Sequence, residues 1–380
     1  MKIPFNKPYL SGKELDYIAE AISSGKTSGN QTFSKKVHAF FCDTYGFKKA
    51  LFTTSCTDAL EMCALLLNIK EGDEIILPSY TFVSTANAFA LRGAKLVFAD
   101  SLKENPNIDP DEIEKLISPK TKAIVVVHYA GIACNMDRIK KICTKHDLFL
   151  IEDAAQSIDS YYNDEPLGSI GDLATFSFHE TKNLGCGEGG LLAINNEVFV
   201  ERAEILWEKG TNRSAFFRGE IDKYGWVDLG SSFLGSDILA AYLFAQVENI
   251  DRIQKRRIRI WELYNSKLKE GHEKGWYELP FLPEYATNNG HLFFIVCRSI
   301  EERGALIKYL KEAEIHAVFH YLSLHKSPYY NDKHDGRDLP NSDRYTDCLL
   351  RLPFYYELTN EDVLRVAEKV LQFYSQHAEA

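Results

Sequence analysis

The chain has 380 residues, 45% of them hydrophobic, with 20 Tyr and 23 Phe against 12 Pro. That composition excludes disordered and collagen-like classes and suffices for two packed lobes. A formal charge of −10, from 44 basic and 54 acidic side chains, suits neither nucleic acid nor an anionic membrane as a partner. The opening MKIPFNKPYLSGKELDY lacks the apolar core of a signal peptide, and no apolar run is long enough to span a bilayer. Eight scattered cysteines without a CxxC pair speak against a zinc site or redox dithiol and fit a reducing cytoplasm.

Leu15, Ile18, Ala19 and Ile22 fall on one helical face. Residues 57–68 predict a buried helix with Asp58 in its first turn. Short apolar runs follow at 74–78, 95–100, 122–131, 148–155, 174–178 and 190–196, with a helix over 136–147. Continuous apolar strands alternating with helices predict an α/β sheet covered on both faces. Beyond residue 250 the pattern changes to a long amphipathic helix over 252–270 and a strand within 291–298. Helices near 300–313 and 360–375 complete it. The predicted division is a large α/β domain over 1–250 and a smaller C-terminal α+β domain over 251–380.

Four segments carry the chemistry. In LFLIEDAAQS, Asp153 ends an apolar strand, at the edge where open α/β sheets bind ligands. An aspartate there is commonly a helix cap or turn former. Glu152 points to the opposite face. In ATFSFHETKNLGCGEGG, Lys182 follows a strand in a polar loop, and such a lysine alone is ordinarily solvated. The glycines at 185, 187, 189 and 190 allow a sharp turn or close approach to a ligand. They are not a dinucleotide fingerprint, because a strand pattern follows them rather than a helix. In TTSCTDAL, the turn at Ser55, Cys56 and Thr57 opens a helix whose free N–H groups suit an anion, whether or not it serves merely as a cap. In PSYTFVSTANA, Tyr80 and Phe82 offer aromatic faces, for which core packing is the plain alternative. One ligand satisfies all four segments. It has a phosphate for the turn and Ser177, a ring for Phe82, a ring nitrogen for Asp153 and an aldehyde for Lys182. Pyridoxal 5′-phosphate (PLP) has these groups.

Through TSCTDAL, LPSYTFVSTANA, EDAAQS, SFHETKN with GEGG, SDILAAYLFAQVENID, VFHYLSLH and LRLPFYYELT, the chain resembles the PLP-dependent nucleotide-sugar aminotransferases of the DegT/DnrJ/StrS type. Their fold is that of PLP-dependent fold-type I, the aspartate aminotransferase architecture. IPFNKP, KGTNRSAFFRG, DKYGW and KEAEIHAVFHY resemble the branch that makes dTDP-4-amino-4,6-dideoxygalactose.

The resemblance implies that Lys182 binds PLP covalently and moves protons, and that Asp153 keeps the ring nitrogen protonated. It implies that Gln156 faces the ring hydroxyl, Phe82 stacks on the ring, and Cys56, Thr57 and Ser177 hold the phosphate. Ser232 stands where relatives place an asparagine that reaches the partner subunit's phosphate, so a homodimer is implied with that one contact altered. Lys223 and Arg213 are candidates for the nucleotide diphosphate. His128, His179 and His320 are candidates for the sugar, although His320 reads first as a structural histidine. The implied reaction passes the amino group of L-glutamate to C4 of dTDP-4-dehydro-6-deoxy-D-glucose. Alternatives are amination at C3, the gluco epimer, or a PLP-binding regulator. A sugar dehydratase of this fold would carry histidine in place of Lys182.

Overall fold

The computed structural model describes residues 2–377. The first half of the chain supplies strands β1 (Lys49–Thr53), β2 (Glu74–Pro78), β3 (Lys95–Ala99), β4 (Thr121–Val127) and β5 (Phe149–Asp153). A short hairpin follows, β6 (Tyr161–Tyr162) and β7 (Glu165–Pro166), then β8 (Leu173–Ser177) and β9 (Gly190–Ile194). Seven of these form one sheet in the order β1-β9-β8-β5-β4-β2-β3. β8, β5, β4, β2 and β3 pair in parallel, and β9 is antiparallel to both of its neighbours. Parallel neighbours need crossovers, and the helices Val83–Ala90, between β2 and β3, and Met136–His146, between β4 and β5, supply two of them.

The sheet is apolar on both faces, as its uninterrupted strands require. Ala123, Val125 and Ile151 pack on one side with the helix Cys56–Leu66 and Trp207. Ile124, Val126 and Leu150 pack on the other with Met136, Ile139 and Cys143. This is the mixed-sheet α/β architecture expected from the sequence.

A smaller antiparallel sheet joins β10 (Phe294–Val296), β11 (Val318–Phe319) and β12 (Leu349–Arg351) in the order β10-β12-β11. Its core includes Trp261 and Tyr264 of the long helix Ile250–Glu273, and Val363, Val366 and Val370 of the helix Asn360–His377. The N-terminal segment crosses to this unit, where Ile3 bridges Ile315 and is fully buried.

The helix Glu14–Ser23 forms where its apolar spacing predicts. Its row Leu15, Ala19 and Ile22 stays open, however, with Leu15 76% exposed. Among the described residues no helix is long and apolar enough to cross a membrane. All eight cysteines are free thiols.

Candidate active site

The carboxyl ends of β1, β5 and β8 meet at one edge of the large sheet. Register ties them together: Asp153 faces Thr175, while Thr53 and Ser177 both face Gly190. Above this edge lies a cavity of about 570 Å³, lined by Cys56, Thr57, Phe82, Asp153, Gln156, Ser177, His179, Lys182 and His320, among others.

Asp153 is held as an acceptor. The Thr85 hydroxyl donates to its Oδ2 at 2.7 Å, and the Ala155 N–H donates to Oδ1 at 3.1 Å. Burial pushes its carboxyl above the usual aspartate range, against these two bonds and the charge of Lys182. Lys182 shows the mirror effect. Burial lowers its amine to about 8, partly offset by Cys56 and Asp153. Its Nζ makes no hydrogen bond among the described residues. A ligand with a cationic group beside Asp153 and a carbonyl beside Lys182 relieves both groups.

The loop bearing Lys182 is clamped from a distance. Asn183 Nδ2 donates to Gln254 Oε1 and to the Asn289 carbonyl, each at 2.9 Å, and its Oδ1 meets His291 Nδ1 at 2.8 Å. Gln254 belongs to the long helix Ile250–Glu273. Asn289 in turn donates to the carbonyls of Gln156 and Ile158.

Ser55 caps the helix Cys56–Leu66. Its hydroxyl accepts from the Asp58 N–H at 3.1 Å and meets Asp58 Oδ2 at 2.9 Å. The N–H groups of Cys56 and Thr57 find no acceptor among the described residues, and both residues line the cavity. They form an anion cup at the positive end of an eleven-residue helix. Gly190 makes this cup possible. A Cβ there would lie 2.3 Å from the Ser55 carbonyl carbon and 2.4 Å from the Cys56 nitrogen. The close approach expected of the glycine cluster is therefore to the chain's own helix start, while Gly187, at φ +85°, makes the sharp turn.

Phe82 is 54% exposed at the start of the helix Val83–Ala90, with its ring centroid 6.0 Å from that of Tyr321. Gln156 accepts from the Ala130 N–H at 2.7 Å and donates to the Tyr321 hydroxyl at 3.1 Å. His179 stands at the mouth, its Nδ1 2.9 Å from the Thr181 hydroxyl and its Nε2 3.8 Å from Glu188. His320 hydrogen-bonds the Tyr129 hydroxyl through Nδ1 at 2.9 Å.

His128 requires correction as a sugar-lining residue. It is fully buried, its Nε2 lies 2.9 Å from Glu152 Oε2, and its Nδ1 accepts from the Cys134 N–H at 3.1 Å. Both ring nitrogens are used inside the core, and the ring does not reach the cavity. Glu152 points away from Asp153, as strand alternation requires, and also accepts the N–H groups of Gly168, Ile170 and Gly171. Ser232, Arg213 and Lys223 are exposed and outside this chain's cavity, and the Arg213 guanidinium lies 5.0 Å from the Phe217 ring centroid.

Sequence reasoning missed Thr85, Tyr321, Arg351 and the Asn183 clamp. Thr85 lies in the PSYTFVSTANA segment one helical turn beyond Phe82, so its position was readable. The others depend on packing between remote segments.

The amino group, acid and anion cup fit PLP, which supplies a phosphate, a basic ring nitrogen and an aldehyde. Comparison with known proteins agrees. Residues 8–371 match the model of the DegT/DnrJ/EryC1/StrS aminotransferase family. An uncharacterized protein of Methanocaldococcus jannaschii is 33% identical over 99% of this chain and 98% of its own length. The aminotransferase TlmJ of Streptoalloteichus hindustanus superposes with a TM-score of 0.91 at 28% identity, covering 99% of this chain and 100% of that one. The putative sugar aminotransferase Spr1654 of Streptococcus pneumoniae, in its PMP form, gives a TM-score of 0.91 at 25% identity, over 99% and 98% of the two chains. A PLP form of the same protein is also similar. From the helix that opens the anion cup to the strand that ends in Arg351, the chain belongs to the DegT/DnrJ/EryC1/StrS family of PLP-dependent sugar aminotransferases.

Proposed function

We propose that the enzyme transfers the amino group of L-glutamate to the C4 keto group of dTDP-4-dehydro-6-deoxy-D-glucose, giving dTDP-4-amino-4,6-dideoxy-D-galactose and 2-oxoglutarate. The observation that carries the reading is the meeting of Lys182 and Asp153 in one cavity, each shifted by burial toward the form a bound PLP would reverse. The choice of nucleotide and carbon rests on the segments that resemble the 4-amino-galactose branch.

When bound, PLP supplies the electron sink that makes exchange of an amino group for a carbonyl oxygen accessible at neutral pH. The remaining roles belong to the chain. Lys182 would hold the cofactor, and its freed amine would take a proton from the donor carbon that bears the nitrogen and deliver it to the cofactor's former aldehyde carbon, with the same two transfers run in reverse at the sugar carbon in the second half of the cycle. An amine with a pKa of about 8 suits both tasks. Asp153 keeps the proton on the ring nitrogen through its Oδ atoms, which Thr85 and Ala155 hold in place. Cys56, Thr57 and Ser177 take the phosphate. Phe82 covers the ring face, and Gln156 lies toward the ring hydroxyl. His179, at the mouth, orients the sugar. Because donor and acceptor use one cavity in turn, the kinetics are ping-pong.

The reading includes a large cofactor-binding unit over 1–250, a smaller unit over 251–380 and a cytoplasmic homodimer. The open row Leu15, Ala19 and Ile22, and Trp226 at 82% exposure, supply apolar surface for a second copy. In that dimer Ser232, Arg213 and Lys223 serve the partner's cavity, Ser232 at the phosphate and the two cations at the nucleotide diphosphate. Incubation with glutamate and a panel of nucleotide-linked keto sugars, followed by NMR of the amino product, tests the sugar. Amination at C4 with the galacto configuration is expected. A C3 amine or the gluco epimer overturns that assignment. An active monomer in ultracentrifugation overturns the role given to Ser232.

A further inference from the structure

One histidine of the cavity has its proton fixed by a chain of amides. Gln254 Nε2 donates to the Ile158 carbonyl at 3.2 Å, which turns Gln254 Oε1 toward Asn183. Asn183 Nδ2 donates to that oxygen and to the Asn289 carbonyl, each at 2.9 Å. Backbone carbonyls only accept, so neither amide can be flipped. Asn183 Oδ1 is left as the acceptor for His291 Nδ1 at 2.8 Å. The imidazole proton therefore sits on Nδ1, and Nε2 carries a lone pair.

The ring is held in place from its own backbone as well. The His291 N–H donates to Asn289 Oδ1 at 3.0 Å, and its carbonyl accepts from Arg257 Nη2 at 2.7 Å. The residue is 4% exposed and lines the cavity that contains Lys182. Its Nε2 has no partner among the described residues and, unlike the Tyr80 hydroxyl, is not sealed from solvent. Burial, together with the charges of Lys182, Arg351 and Arg257 and with His320, keeps the imidazole well below the usual histidine range. The neutral ring thus presents one acceptor and no donor to the cavity.

We infer that His291 Nε2 accepts the hydroxyl beside the keto carbon of the sugar substrate and selects sugars that carry it. The inference rests on the transamination reading above and extends it to a residue which that reading does not use. Asn183 directly follows Lys182, so the bond that fixes the ring also fixes it relative to the reactive amine. On L-glutamate the reacting carbon is flanked by a carboxylate and a methylene. Neither donates a hydrogen bond, and a lone pair repels the carboxylate. On a sugar that reacts at C4, the neighbouring C3 carries a hydroxyl, which does donate. An acceptor left unpaired in a closed site is costly, so this arrangement rejects a sugar that lacks the hydroxyl.

Two substitutions separate this role from support of the lysine loop. In His291→Asn the amide nitrogen stands at the Nδ1 position and still donates to Asn183, but nothing reaches the position of Nε2. In His291→Gln the amide oxygen reaches the position of Nε2, but the bond to Asn183 is lost. The substrates are the keto sugar and its 3-deoxy analogue, with enzyme loaded with pyridoxamine phosphate. The parent favours the hydroxylated sugar in kcat/KM by about 10–100-fold. In His291→Asn the preference falls below about 3-fold, while kcat/KM for glutamate, followed by the cofactor's absorbance, stays within about 3-fold of the parent. His291→Gln keeps more of the preference than His291→Asn. Calorimetry with dTDP-6-deoxy-D-glucose, which has no keto group to react, and with its 3-deoxy form gives the same ranking. A parent that handles both sugars alike overturns the inference, as does a His291→Asn that retains the full preference. A glutamate half-reaction that falls in parallel with the sugar one also overturns it, since Nε2 would then serve Lys182 or water. A greater loss of preference in Gln than in Asn marks support of the loop and has the same consequence. If His291→Asn does not fold, His291→Phe, which fills the ring's space without an acceptor, is read by the same criteria. Amination at C3 would sink the C4 assignment alone. The same variants would then be read with sugars lacking the hydroxyl at C2 or C4, and a preference kept in His291→Asn would overturn the slot.

Discussion

The two walls of the cavity are made by different means. On the large-sheet side, each functional group lies at the end of a strand or in the first turn of a helix, within a few residues of the element that orients it. Asp153 ends β5, Ser177 ends β8, and Cys56 and Thr57 start a helix two residues after β1. On the small-sheet side, His291, the pair His320 and Tyr321, and Arg351 come from three separate segments and converge only through tertiary packing. The first wall is a product of local chain geometry. The second depends on how one folded unit sits against another.

Substitutions can break this comparison in a graded way. The largest effect belongs to Lys182→Ala, which removes both the cofactor's covalent anchor and the proton carrier. Turnover falls by about 10⁴-fold, and borohydride no longer fixes a pyridoxyl group to the chain. A variant that still transaminates would remove Lys182 from its role. Asp153→Asn comes next. It keeps the Thr85 side of the site and binds PLP, but loses the charge that retains the ring proton. The kcat drops about 10²–10³-fold with the cofactor's absorbance still present, and near-normal turnover would contradict the role of Asp153. Gly190→Ala tests the local wall by packing alone. The added methyl meets backbone of the cup, so either β9 or the helix start shifts, at a cost of about 1–3 kcal/mol. A lowered melting temperature and weaker PLP retention are expected, and an unchanged protein would show that the cup has slack.

The smallest effect is on pH. Burial places the Lys182 amine at about 8, below its unfolded value, so the neutral form that attacks an aldehyde accumulates as pH rises through 8. The rate at which apoprotein captures PLP should climb between pH 7 and 9 and then level off. A rate that keeps rising toward pH 10.5 would mean that the amine is solvated.

The same division explains what the sequence reveals. β2, β4, β5, β8 and β9 are five to seven residues long, and the apolar runs within them announce them. The acid, lysine and cup are then placed by position relative to those runs. β11 has two residues and β12 three, too few for any periodicity, so Arg351 reads as one more basic residue in LRLPFYYELT. His128 misleads for a related reason. It directly follows β4 at the functional edge, yet its ring turns inward to Glu152, and only the three-dimensional pairing reveals that choice. The open helix Glu14–Ser23 teaches the converse, since apolar spacing is readable but the identity of what covers it is not.

Asn289 gives the acid and the lysine a common gauge. Its side chain fastens to the carbonyl of Gln156, three residues beyond the acid, and its own carbonyl takes Asn183, the residue after the reactive lysine. A single asparagine thus spans the gap between the group that fixes the ring and the group that does the chemistry, like the jaw of a calliper. Tuning the reach of this enzyme toward bulkier substrates would therefore begin with the short stretch around residue 289, remote in sequence from both reactive groups, before touching either of them.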